Sequence, residues 1–177
     1  HATIRRQRQM CIRDRGWITR EEGEKRILIT LRSLAKLERI RGFWYHFIDQ
    51  DSGKRGWRDS KNVELSNAST GTMLLGALAA SEYFGGEIES RTQRMYAEMD
   101  WKWFTNPRTK HPYLACYPKD LPSKVPPGIT EEGMFGGWSA YAEHIFLYLL
   151  AAGSPNPDYS TGADSYYAMR TPKGSYK

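Results

Sequence analysis

Three runs of helix-forming residues in this chain are closed by glycine, and that punctuation limits the fold more than any other feature. The first run, residues 19–41, stops at Gly42; the second, ending in MLLGALAASEYF, stops at Gly85-Gly86; the last stops at Gly153-Ser154-Pro155. Glycine readily takes the left-handed conformation that follows a helix's last turn, so these stops mark separate, short helices. Thr19 and Glu22 have the spacing of a capping box, and Ile27, Leu28, Leu31, Leu34 and Ala35 recur at the helical period. A second helix is predicted to begin near Ser66 or Ser69, and its Ala, Gly and Leu content permits close packing. A third, over 87–104, sets Ile88, Met95, Tyr96, Met99 and Trp103 against the polar RTQR side. A fourth covers 139–152.

Between the helices the pattern changes. Residues 43–57, FWYHFIDQDSGKRGW, place an aromatic run and a basic run on either side of Asp51-Ser52-Gly53, the composition of a β-hairpin. Residues 105–137 hold Pro107, Pro112, Pro118, Pro122, Pro126 and Pro127, which forbid a long helix and predict an irregular loop. A loop of that length inside a compact domain is usually functional or disordered. The last twenty residues are polar and turn-rich, with no closing element predicted. Four helices, one hairpin and one long loop make an all-α class, without the alternating strands of an α/β sheet.

Charge narrows the partners. The chain has 177 residues and a net charge of +6, but residues 1–15, HATIRRQRQMCIRDR, carry five arginines and one aspartate and so +4 of it. Within them MCIRDR resembles the translation of a sequencing-library adapter, so residues 1–15 are read as a cloning or assembly scar outside the fold. The alternative, a basic arm that meets phosphates by charge, rests on those residues alone. No nucleic-acid partner is expected. Cys11 lies in the same segment, which leaves Cys116 without an intrachain disulfide partner or a metal cluster. The longest apolar run, 145–152, falls well short of the roughly 18 residues that span a bilayer, and no membrane partner is expected.

One carboxylate stands out. In GGWSAYAEHIFLYLLAAGSP, Glu143 precedes eight residues that are apolar on every side of a helix, a pattern that predicts burial all round. A carboxyl partly withdrawn from water beside Trp138, Tyr141 and Phe146 has its pKa raised, as a proton donor near neutral pH requires. Its predicted place in a first helical turn favours the anion instead. A capping or ion-paired Glu is the competing reading.

Four motifs, GFWYHFIDQDSGKRGW, ELSNASTGTMLLGALAASEYFGG, MDWKWF and WSAYAEHIFLYLLAAGSP, resemble in order and spacing the bacterial glucoamylase-like domain family. That family includes endo-β-1,2-glucanases and the glycan-processing domains of cyclic β-1,2-glucan synthases. The resemblance covers residues 16–155. It implies an (α/α)6 toroid with a glucan-binding cavity at one end, of which residues 16–177 would be an N-terminal portion, truncated at the C-terminus. Glu143 matches the glutamate of the W-x-x-Y-x-E motif, which implies a general acid. The family places acidic residues where Ser66 and Ser69 stand, and serine cannot be the base that an inverting glycosidase needs roughly 6.5–9.5 Å across the sugar. Three explanations stay open: a base elsewhere, with Glu64 first and Asp59 second; a base beyond this chain; or a member that binds glycan without cleaving it. Glu64 matches the E-[VL]-S start of the motif, with a solvated loop charge as its plainer reading. Ser66 and Ser69 are equally natural as helix N-caps.

Aromatic rings offer flat apolar faces to sugar C–H groups, and Trp138 and Tyr141, next to Glu143, are the expected cleft residues. Trp44, His46 and Arg55 on the hairpin are further candidates, with Arg58 as a weaker basic neighbour. His144 has no second histidine at ligand spacing, so neither metal nor cofactor is expected. The expected partner is an oligo- or polysaccharide of the β-glucan type, and the expected location periplasmic or extracellular, with no signal region in this sequence.

Overall fold

The structure is a computed structural model that describes residues 15–56, 63–119, 128–130, 133–140 and 142–169. The readings of residues 1–14, of Trp57, Arg58 and Asp59, and of Tyr141 fall outside those residues. Among the described residues the architecture is mainly helical, with five helices and four two-residue strands.

Helix α1, Arg20–Ala35, starts where the sequence reading places it. Thr19 is extended and its hydroxyl accepts the Glu22 N–H at 3.1 Å, satisfying one of the donors that a first turn leaves open. Glu22 turns outward to Arg26 instead of closing the box. Ile27 and Leu31 are buried and Ala35 is exposed. The helix ends at Lys36, not at 41, because residues 39–44 are taken by a hairpin. Strand β1 (Arg39–Ile40) pairs antiparallel with β2 (Phe43–Trp44). Arg41 (φ 49°) and Gly42 (φ 86°) are both left-handed, as the tightest hairpin turn requires, so Gly42 is a turn residue and not a helix stop. The Trp44 indole N–H donates to the Leu34 carbonyl at 3.1 Å, a second donor beside the Leu37 N–H at the end of α1. The predicted hairpin about Asp51–Gly53 is present as well, with Ile48 bridged to Arg55.

Helix α2, Asn67–Phe84, is capped by Ser66, whose hydroxyl accepts the Ser69 N–H at 3.1 Å, and it closes at Gly85 as predicted. It is the central element, packing on α1, on β2, on α3 (Gly86–Ala97) and on α4 (Ile145–Ala152). Small residues bring the helices together: Gly23 of α1 lies against the Phe84 ring. A Cβ on Gly71 of α2 would stand 2.9 Å from both Phe146 and Leu147 of α4. Leu74, Ala77 and Ala80 of α2 are wholly buried.

Two further predicted helices are longer than the observed ones. Helix α3 stops at Ala97 instead of 104 because the β1–β2 turn docks on the next residues. Asp100 N–H donates to the Arg41 carbonyl at 3.0 Å, Arg41 pairs with the Asp100 carboxylate at 2.8 Å, and a Cβ on Gly42 would meet the Glu98 carbonyl at 2.6 Å. Phe43 then reaches edge-on to Trp101 in the core. Helix α4 starts at 145, not 139: the Trp138 carbonyl, which a helix from 139 would use as its first acceptor, takes the Tyr148 hydroxyl, and the Trp138 N–H donates to the Pro112 carbonyl at 2.9 Å. Its burial is one-sided: Leu147 and Tyr148 are buried, whereas Leu149 is 56% exposed.

The proline-rich region carries β3 (Ala115–Cys116) paired with β4 (Met134–Phe135). Leu65 links the two strand pairs, bridging Tyr45 on one side and Cys116 on the other. The order is therefore β1, β2, residue 65, β3, β4. An unpredicted helix α5 (Asp164–Ala168) docks on residues 110–111, with Ser165 donating to the Lys110 carbonyl and His111 Nε2 3.0 Å from the Ala168 carbonyl.

Candidate active site

The first turn of α2 organises the site residues, with the ribbon formed by β1, β2, residue 65, β3 and β4 on one side of it and the approach to α4 on the other. On the ribbon side Leu65 is wholly buried, and its N–H and carbonyl both bond Cys116. Side chains alternate along an extended segment, so burying Leu65 turns its neighbours Glu64 and Ser66 to the other face. Glu64 is not a solvated loop charge. Its carbonyl accepts the His46 N–H at 2.9 Å and its Oε1 lies 2.7 Å from His46 Nδ1. The His46 ring stacks on Phe47 with centroids 4.4 Å apart and planes 16° from parallel. Tyr117 is close by: burial first, and then the negative charge of Glu64, push its phenol above the ordinary value.

Ser66 and Ser69 are engaged with each other. Besides capping the helix, the Ser66 hydroxyl donates to Ser69 Oγ at 3.1 Å. Trp44 is a core residue whose ring is covered by the Arg39 guanidinium. Arg55 lies over the Tyr45 ring, and its backbone N–H donates to Glu38 at 2.7 Å.

A cavity of about 690 Å³ opens between the end of α1, the start of α2 and residues 44–50. Its size is that of a small-molecule site. Trp44, His46 and Ser69 line it, together with Phe47, Gln50 and Thr72. Glu64 reaches it through His46; Trp138, Glu143 and Arg55 are not among the residues that line it.

On the other side, Asn67, the first residue of α2, accepts the Trp138 indole N–H at 3.3 Å and donates to the Tyr113 carbonyl at 2.6 Å. Asn67 is 1% exposed, and sequence reasoning passed over it because an Asn at a helix start carries no functional mark. The Trp138 ring in turn packs on His144 at 4.5 Å, and the Tyr148 hydroxyl donates to the Trp138 carbonyl. His144 is buried, with no described partner for its Nε2. Glu143 itself is exposed in the turn before α4, and no described residue bonds its carboxylate. The expectation of a half-buried Glu143 in a helical first turn is corrected, because the helix begins two residues later. Among the described residues no group of three His, Cys, Asp or Glu is placed to hold a metal ion. None of the described helices is long and apolar enough to cross a membrane.

This fold and this chain's sequence are similar to those of bacterial β-1,2-glucan hydrolases. An exo β-1,2-glucooligosaccharide sophorohydrolase of Parabacteroides distasonis is 28% identical over 162 residues, which are 88% of this chain and 21% of that protein. A solved β-1,2-glucanase of the same organism superposes with a TM-score of 0.67 at 26% identity, over 88% of this chain and 22% of its own. The endo-β-1,2-glucanase of Chitinophaga pinensis, solved with sophorotriose and glucose, superposes with a TM-score of 0.70 over 91% of this chain and 37% of its own. At 24% identity that match speaks for the fold alone. The chain thus spans between a fifth and two fifths of the length of these relatives. No protein-family model matches it.

Proposed function

We propose that this chain forms part of an (α/α)6 glycoside hydrolase domain that acts on β-glucan, with a β-1,2 linkage, and that Glu143 is its general acid. The observation that carries the reading is the Asn67–Trp138–His144 contact chain. It holds the Glu143 turn against the start of α2, where the family motif places its acidic residues, and leaves the carboxylate open to a substrate. The similarity to β-1,2-glucan hydrolases supports the substrate class. Ile29 on α1, Leu75 on α2 and Leu149 on α4 are exposed, which agrees with further helices of a toroid covering those faces. Trp138, and Tyr141 as its partner in the W-x-x-Y-x-E motif, are the cleft candidates that go with the acid, and Trp44, His46, Arg55, Ser66 and Ser69 are the candidates for the other polar and aromatic contacts to glucan. Within the chain Glu64 is the first residue to test as base. Residues 1–15 stand outside the domain, and its setting is the periplasm or the cell exterior.

A second reading, a glycan-binding member without hydrolysis, has one observation in its favour: Ser66 and Ser69 spend their hydroxyls on the helix cap and on each other. The test that separates the two assays the full-length protein carrying this chain on β-1,2-glucan, with β-1,3- and β-1,4-glucans as controls. Release of shorter β-1,2-linked products is expected. Saturable binding with no product would establish the second reading, and Ser69→Asp would then be the natural rescue.

A further inference from the structure

The cavity beside α2 holds an imidazole whose state is set by a residue outside the cavity. Glu64 Oε1 lies 2.7 Å from His46 Nδ1. An ionised carboxylate only accepts hydrogen bonds, so Nδ1 carries the proton and, in the neutral ring, Nε2 is left as an acceptor. The ring also stacks on Phe47, and the backbone N–H of residue 46 donates to the Glu64 carbonyl, which sets the two residues side by side. No described residue bonds Nε2, and His46 lines the cavity along with Trp44, Phe47, Gln50, Ser69 and Thr72. Apolar rings beside a few oriented polar groups make a surface suited to a pyranose, whose C–H face packs on an aromatic ring while its hydroxyls bond the rim.

We propose that Glu64 is a positioning residue that holds His46 as the Nδ1–H tautomer, so that Nε2 accepts a hydrogen bond from a hydroxyl of a glucosyl unit seated in the cavity. This rests on the β-glucan reading above and gives Glu64 a role through His46 in place of a direct role on water. The backbone bond from residue 46 to residue 64 brings the two side chains into register, so their contact follows from the ribbon itself. Gln at position 64 keeps an acceptor oxygen of the same reach, whereas Ala removes it.

Two readouts on the same protein test it. Long-range ¹⁵N–¹H correlation NMR, well above the ordinary imidazole range of about 6.5, should show the Nδ1–H form of His46 in the parent and in Glu64→Gln. In Glu64→Ala that form should be lost. His46→Gln identifies the signal. Sophorose, the β-1,2-linked glucose disaccharide, should bind the parent and Glu64→Gln alike and bind Glu64→Ala and His46→Ala about tenfold more weakly, the scale of one hydrogen bond in a pocket. An unchanged tautomer in Glu64→Ala, or sophorose binding indifferent to both residues, overturns the positioning role and leaves the glucan reading standing. A parent with the expected tautomer that ignores sophorose and binds another disaccharide overturns the glucan reading instead. A Glu64→Gln protein that binds sophorose fully but has lost turnover assigns Glu64 to the base and also overturns the proposal.

Discussion

Glu64 sits in a bridged ladder, tied to His46 by its carbonyl and by its carboxylate, whereas Glu143 stands exposed in a turn with its neighbours held and its own side chain bonded to no described residue. The ribbon side spends its polar groups on one another and so fixes the orientation of a ring. The α4 side fixes the backbone through Trp138 and His144 and leaves the Glu143 carboxylate exposed, with no bond to a described residue. That contrast matches two kinds of task. A group that orients another needs its partner in the free protein, while a proton donor often acquires its catalytic hydrogen bond only when substrate arrives.

The two sides should break separately, and the largest effect belongs to the ribbon side. In Gly42→Ala a Cβ enters a left-handed position 2.6 Å from the Glu98 carbonyl and the Met99 Cα, so strain and a backbone clash combine. A loss of about 2–5 kcal/mol is expected in denaturant unfolding, with the His46 tautomer signal disturbed before the Trp138 environment. Asn67→Ala should act on the other side and by less. It removes the bonds that Asn67 makes to the Trp138 indole N–H and to the Tyr113 carbonyl, at a cost of about 1–3 kcal/mol. Trp138 fluorescence should shift and the His46 signal should not.

Alkaline titration gives the smallest and most selective difference. Burial pushes the Cys116 thiol, in the ribbon, up to about 11, and the Tyr96 phenol, which donates to the Leu150 carbonyl of α4, up to about 12. Both groups are raised from ordinary values of 9.0 and 10.0. Folding therefore holds the protons on, and this stability is fully present below those values and lost as pH rises through the folded ones. Melting temperature should fall from about pH 9, with the ribbon loosening first and the α4 contact about one unit later. A Tyr96→Phe protein should lack the second phase.

The helices were legible in the sequence wherever a side chain writes its own boundary. Thr19 and Ser66 cap α1 and α2 by bonding the N–H three residues on, and Gly85 closes α2. The ends that depend on another segment were not legible. Nothing in residues 98–104 announces that Arg41 and Gly42 will press on them, and nothing in 139–144 announces that Pro112 claims the Trp138 N–H. The five-residue α5 has no room for a period to show. At the site, the hairpin's aromatic run pointed to His46 and the motif resemblance to Glu64, separately, but their pairing comes from the ladder through Leu65, a contact between segments 18 residues apart. Asn67 was silent for the same reason, since its partners lie at 113 and 138.

The central claim is that the exposed Glu143 is the acid of a β-glucan hydrolase, and Glu143→Gln in the full-length protein carrying this chain tests it most directly. Gln keeps the size and the hydrogen bonding of the side chain and removes the transferable proton. Because Glu143 is exposed and bonded to no described residue, the fold should be untouched, β-1,2-glucan should bind as before, and kcat should fall by roughly 10²–10⁴. A variant that folds, binds and turns over at the parent rate would contradict the account, as would one that unfolds while its folded fraction keeps full specific activity.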